Sequence, residues 1–335
     1  MSRSVFLLVL VALINFPLFA QIAVGQWRDH LPYSKGVQVA DAGEWVFAAS
    51  ESGLFQYHKS DQDVVRLSKI SGLSDIGYSA IAWSEDNATL IIAYTNTNID
   101  LIQDGQIINV PDIKDKSILG NKSINDIHIQ GDYAYLACGF ALVVLDIVKH
   151  EVKDTYYLGA DGAALNVHDV VTSSTQIFAC TETGVYHAPL SGVNLANFES
   201  WTQFIDIPIG EYNAGTWFDG KLYVNLAADG IDTMYRFDNQ WTRLDLLEEE
   251  EIRNLESTDN RLLVSSTGSV AEYDLNLVRT RLAFQYDQGT YAQPAHATTD
   301  DQGTMWIADK NSGLVRHPQN LSFQFISING PSRVS

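Results

Sequence analysis

The residues that could do chemistry in this chain are chiefly carboxylates: 41 Asp and Glu stand against 21 Lys and Arg and eight His. The sequence has no G-x-S-x-G elbow, H-E-x-x-H helix or G-x-x-x-x-G-K-[ST] loop, so it lacks the strong local signatures of hydrolases, metalloproteases and nucleotide enzymes. Two acids drawn from separate segments could still cleave a glycan, one as general acid and one as base or nucleophile. Most acids, however, sit in turns, as Asp41, Asp61, Asp132 and Asp219 do, where Asp bonds nearby backbone. No catalytic residue is assigned, and the chain reads as a non-enzyme. Calcium could use the oxygens of residues 248–251 or 300–303, but neither stretch has the D-x-D-x-D-G spacing. A solvated acidic run and a β-turn are expected there, with no metal and no cofactor. Cys138 and Cys180 are too few for a disulfide scaffold and lie in no zinc-binding spacing. A formal net charge of −20 repels the phosphates of nucleic acid and anionic lipid headgroups, so nucleic acid is not an expected partner.

The elements that would position these groups are strands. After residue 25 no apolar recurrence at helical spacing is sustained, whereas short alternating or β-branched runs separated by Gly, Asn and Asp continue throughout. A small residue recurs after an apolar pair at Ala48, Ala93, Ala137, Ala179, Val224, Val264 and Ala308, at intervals of 40 to 45 residues. Each period has room for four strands, among them an inner strand such as INDIHIQ (124–130) and an outer one such as QWTRLDL (240–246). A four-stranded meander cannot bury both of its faces alone, so successive units must stack, and closure into a ring removes the exposed ends. The fold class is therefore all-β: a seven-bladed β-propeller with four-stranded antiparallel blades. Cys138 and Cys180 fall in adjacent blades, too far apart for a disulfide, so two buried free thiols are expected.

Ring closure needs a last outer strand. QWRDHLPYSKG (26–36) has the outer-strand pattern and is one candidate latch; SFQFISINGPSRVS (322–335) is the competing one. Closure also gathers the loops between each fourth strand and the next inner strand at one end of the central channel. That rim carries Asp75, Asn121, Lys122, Asn125, Asp126 and His168 from the first half of the chain. Asp169, Tyr212, Asn213, Arg253, Tyr291 and His296 come from the second half. Such a ring could hydrogen-bond a glycan or a partner loop, with Tyr212 and Tyr291 offering flat apolar faces. A wet propeller channel lined with polar residues is the competing reading.

The first residues read as an address. Arg3 opens a basic region and residues 5–13 (VFLLVLVAL) form an apolar run of signal-peptide length, short of a membrane span. Residues 1–25 are expected to be a signal peptide and 26–335 the propeller, as the N-terminal module of a longer, exported protein.

Segments WRDHLPYSKGVQVA (27–40), RLSKISGLSDIGYSAI (66–81), IAYTNTNIDLI (92–102), GNKSINDI (120–127) and AYLACGFALVVLDIVKHEVKDTYYLG (134–159) resemble the N-terminal β-propeller of PorZ-type proteins of the Bacteroidetes type IX secretion system. The resemblance implies a non-catalytic role at the outer membrane surface, with the sortase PorU and the PorV and PorQ-like outer-membrane proteins as partners. It also implies delivery of anionic lipopolysaccharide to the sortase that anchors secreted cargo. With a net charge of −20, contacts to such a polysaccharide would have to be local and hydrogen-bonded. A rival is a periplasmic sensory propeller of a two-component regulator, whose repeat residues 296–318 resemble; a propeller glycan-cleaving enzyme is another.

Overall fold

The computed structural model describes residues 31–118, 120–246, 250–258, 260–319, 321–326 and 328. They fold into a seven-bladed β-propeller. Each blade is a four-stranded antiparallel meander taken in chain order, and one two-stranded hairpin lies between the last two blades. The blades span residues 36–67, 78–110, 124–156, 167–203, 212–244, 252–283 and 294–326. Their first strands, Gly36–Ala42, Tyr78–Ser84, Ile124–Gln130, Val167–Thr172, Tyr212–Phe218, Ile252–Thr258 and Pro294–Thr299, line the axis.

Blade 3 shows why these sequences make blades. Its second and third strands, Tyr133–Cys138 and Leu142–Asp146, are apolar almost without interruption and buried along their length. A strand covered on both faces needs such a run, because alternate side chains point to opposite sides and both sides meet a neighbouring sheet. The outer strand Glu151–Tyr156 has one covered side and carries Glu151 and Lys153 exposed.

The core is accordingly divided. Among the described residues seven apolar clusters each sit at one seam between consecutive blades, the last joining blade 7 to blade 1. The recurrent small residues, Ala48, Ala93, Ala137, Ala179, Val224, Val264 and Ala308, all lie buried on second strands. At the closing seam Val39, Val46 and Phe55 pack with Trp306, Ala308 and Leu314, and the Tyr57 and Trp306 rings are 5.5 Å apart. Gly36 is required there: a Cβ on it would stand 2.6 Å from the Asp309 amide nitrogen.

The fourth strand of blade 7 is Gln324–Ile326, paired with Gly313–His317, so the C-terminal candidate fills the latch position. Residues 31–35 form no strand, because that edge of blade 7 is already taken. They still tie the ring: the Tyr33 ring covers Gly53 of blade 1, and the Tyr33 carbonyl covers Gly313 of blade 7. Residues 26–30 and the expected signal peptide lie outside the described residues.

Both cysteines are free and buried, and burial pushes both thiols up. Residues 300–303 form a turn in which Asp300 Oδ1 accepts the Gln302 and Thr304 amides and Oδ2 accepts Trp306 Nε1. That carboxylate is committed within blade 7 and to Lys59 of blade 1, whose Nζ lies 3.3 Å from Oδ2. Of residues 248–251, the first two lie outside the described residues.

Candidate binding site: the channel and its mouth

Each of the seven first strands slips register once, at its second residue. The residues left out of the pairing are Val37, Ser79, Asn125, His168, Asn213, Arg253 and Ala295. A bulge leaves its extra residue outside the ladder and re-aims the side chain. Three of these side chains reach the next blade. Asn125 Nδ2 donates to the Val167 carbonyl at 2.6 Å, Asn213 Nδ2 to Ile252 at 2.7 Å and Arg253 Nη1 to Pro294 at 2.7 Å. Each acceptor is the first residue of the next inner strand. The bulges thus turn rim side chains into seam bonds.

One residue further along, the polar side chains face the channel, a cavity of about 470 Å³. Gln38 spans three blades: its Oε1 accepts the Ile81 amide at 2.8 Å and its Nε2 donates to Asp126 Oδ1 at 3.2 Å. Asp169 Oδ1 accepts the Val170 amide and Oδ2 the Gly215 amide, both at 2.7 Å. Burial pushes the Asp169 carboxyl well above the usual range, and the charge of Asp126 pushes it further. Asp126 is raised as well, first by burial and then by Glu256, against the opposing pull of His296. Like charges near one another disfavour each other's ionisation, which keeps such carboxyls raised. His296 Nε2 lies 3.6 Å from Glu256 Oε2. His128, bonded to Thr172 Oγ1 at 2.7 Å, is depressed to about 4 by burial. The channel lining includes Asp41, Asp126, Asp169 and Glu256 and no Lys or Arg, so its chemistry disfavours anions.

The remaining rim candidates are dispersed. Asp75 accepts from Asn98 and Lys114, both at 2.8 Å; burial opposes its ionisation, but bonds from Lys114, Asn96 and Asn98 prevail and hold it at about 2. Asn121 backs onto Gly139, where a Cβ would meet its Nδ2 at 2.6 Å. Lys122 Nζ donates to the carbonyls of Ile113, Lys114 and Lys116 and so closes the short helix Asp112–Asp115. His168 faces Glu211 at 3.3 Å, and burial lowers its proton affinity. Tyr212 offers no flat face: it is fully buried at the seam of blades 4 and 5, and its hydroxyl donates to the Pro208 carbonyl. Tyr291 is 63% exposed on the hairpin Gln285–Asp287/Thr290–Tyr291.

A second cavity, of about 430 Å³, opens at the mouth over blades 5 to 7. Its walls include Asn213, Asp232, Glu251, Arg253 and Lys310. Lys310 and the channel residues Gln38 and Glu256 were not among the expected residues. Gln38 was legible in principle, since it holds the position in blade 1 that Asp126, Asp169 and His296 hold in theirs. Lys310 sits between the second and third strands of blade 7, a loop type that the rim list leaves out.

With this geometry in hand, residues 46–202 match the family of the type IX secretion system PorZ N-terminal β-propeller domain. Those residues belong to that PorZ family. The PorZ-type propeller is also similar to the solved structure of PorZ from Porphyromonas gingivalis, described as an essential bacterial surface component of the type IX secretion system. The two share 25% identity with a TM-score of 0.77, over 92% of this chain and 40% of that one. The chain thus spans about two fifths of that protein's length. The extracellular domain of a B. thetaiotaomicron protein described as a one-component system is similar at 12% identity and a TM-score of 0.62, over 86% of this chain and 39% of the other. The computationally designed protein Ika8 is similar at 8% identity and a TM-score of 0.58, over 86% and 97%. Those two likenesses concern the fold alone. No curated protein sequence matches the chain. Among the described residues no helix is long and apolar enough to cross a membrane.

Proposed function

We propose that this PorZ-type propeller is an exported, non-catalytic binding and scaffolding module of the type IX secretion machinery's attachment complex, at the outer membrane surface or in the periplasm. The observation that carries the proposal is the PorZ family match over residues 46–202, joined to a common fold over 92% of the chain. In the complex the propeller contacts the sortase PorU and the PorV and PorQ-like outer-membrane proteins. Its task is to support delivery of anionic lipopolysaccharide to the sortase.

A non-catalytic role is supported by the acids themselves. Asp126 and Asp169 serve the scaffold: Asp126 accepts from Gln38 Nε2, and Asp169 accepts the Val170 and Gly215 amides. The other polar rim groups are largely engaged in bonds within and between blades.

The test is affinity capture of the full-length protein from outer membranes, followed by identification of bound proteins and glycolipid. Recovery of PorU and PorV with anionic lipopolysaccharide supports the proposal. Partners without glycolipid retain the scaffold and remove delivery. Recovery of a histidine kinase in their place overturns both in favour of a sensor.

A further inference from the structure

The channel mouth combines two cations in a protein whose net charge is −20. Arg253 and Lys310 line the same cavity of about 430 Å³ and repel one another, which lowers the proton affinity of Lys310 below what burial alone would do. Arg253 commits one nitrogen to the Pro294 carbonyl, and a guanidinium has five N–H donors. Among the described residues neither Arg253 nor Lys310 makes a side-chain ion pair. The carboxylates nearby are mostly saturated. Asp232 accepts from Asn225 Nδ2 and from the Ile252 and Ala228 amides. Asp309, which also acts on Arg253, accepts from the Tyr286 hydroxyl and the Gln293, Asn311 and Ser312 amides. Glu251 remains, exposed on the cavity wall, and its charge acts on Arg253 ahead of that of Asp309.

We infer that this mouth cavity is a binding site for the phosphate or carboxylate of an anionic sugar, held between Arg253 and Lys310. Two cations lining one cavity, neither in an ion pair among the described residues, suit such a group, whereas the acid-lined channel beneath repels it. The cavity is of a size to hold one or two sugar rings, with hydroxyls toward the polar wall. This places a local, hydrogen-bonded anion contact on a surface whose overall field is unfavourable. The inference rests on the proposed handling of anionic lipopolysaccharide for its natural ligand, while binding of a small probe does not depend on that role.

Titration calorimetry on the full chain with glucose 1-phosphate, glucuronate and glucose tests it. Both anionic sugars should bind, glucose should not, and affinity should fall with added salt. Lys310→Gln, at an exposed position, should weaken binding about tenfold, and Glu251→Gln should strengthen it. Equal binding of glucose and glucose 1-phosphate, no binding of either anion, or an unchanged affinity in Lys310→Gln would overturn the site. If phosphate binds and glucuronate does not, the site is phosphate-selective and the assignment to Arg253 and Lys310 stands. Failure here with PorU and PorV still captured would remove this site alone and leave the scaffold intact.

Discussion

Asn213 Nδ2 donates to the Ile252 carbonyl at 2.7 Å, crossing from blade 5 to blade 6. The same side chain accepts from Asn225 through Oδ1 at 2.8 Å, so one bulged residue serves both its own blade and the next. Asn213→Ala removes both bonds and leaves a buried donor on Asn225. It should cost about 1–3 kcal/mol, read as a lower urea midpoint with an unchanged slope. A midpoint equal to that of the parent protein would mean that the seam does not use this bond.

Gly215 sets the distance between blades 4 and 5. A Cβ there would lie 2.8 Å from Cys180 Sγ and 3.0 Å from Val171 Cγ2. Gly215→Ala is expected to destabilise by about 1–3 kcal/mol through overpacking, and the double change with Cys180→Ala should recover part of the loss. Purely additive effects would contradict the contact.

The channel acids should make stability depend on pH in an unusual direction. The folded carboxyls of Asp126 and Asp169 are raised, mainly by burial, so between the ordinary carboxylate range and their raised values the folded state holds a proton that the unfolded state has lost. Their contribution therefore weakens as pH rises through that window. Asp126→Asn keeps an acceptor for Gln38 Nε2 and removes the charge; it should add about 1 kcal/mol above pH 7 and flatten the profile. A variant less stable than its parent at every pH would contradict the raised carboxyl of Asp126.

Glu272 should behave in the opposite sense. Burial opposes its ionisation, yet bonds from Arg281 and Thr280, together with the charges of Arg281 and Arg261, outweigh burial and lower its carboxyl. Its contribution is present above the ordinary carboxylate range and is lost as pH falls through the lowered folded value. Glu272→Gln should cost about 3–5 kcal/mol near pH 7 and far less in acid. An equal cost at both would mean that shape rather than charge matters there.

Cys138 and Cys180 are buried and raised by desolvation. Neither should react with a thiol reagent in the native protein, and both should react once the chain is unfolded in denaturant. Native reaction at the unfolded rate would show that the seams between blades 2 and 3 and between blades 4 and 5 are open.

Much of the ring was legible in sequence because stacking demands the same thing seven times. Ala48, Ala93 and their counterparts recur where second strands must approach a neighbour, and INDIHIQ proved to be an inner strand with the expected bounds. The site was harder to read. Asn125, Asn213 and Arg253 look like exposed rim groups until the bulges direct them at a neighbour's carbonyl, and a bulge leaves no residue signature here. Tyr212 has the composition of a stacking platform, but its place at the start of an inner strand puts the ring inside a seam. The latch was ambiguous because two segments carry the same outer-strand pattern and only one edge was open.

The most direct test of the proposed role is in the cell: delete the gene for the full-length protein and measure how much secreted cargo is attached to the surface through glycolipid. Loss of attachment, with cargo lacking glycolipid and restored by the intact gene, is the expected result. Cargo anchored to glycolipid at the parental level would contradict it.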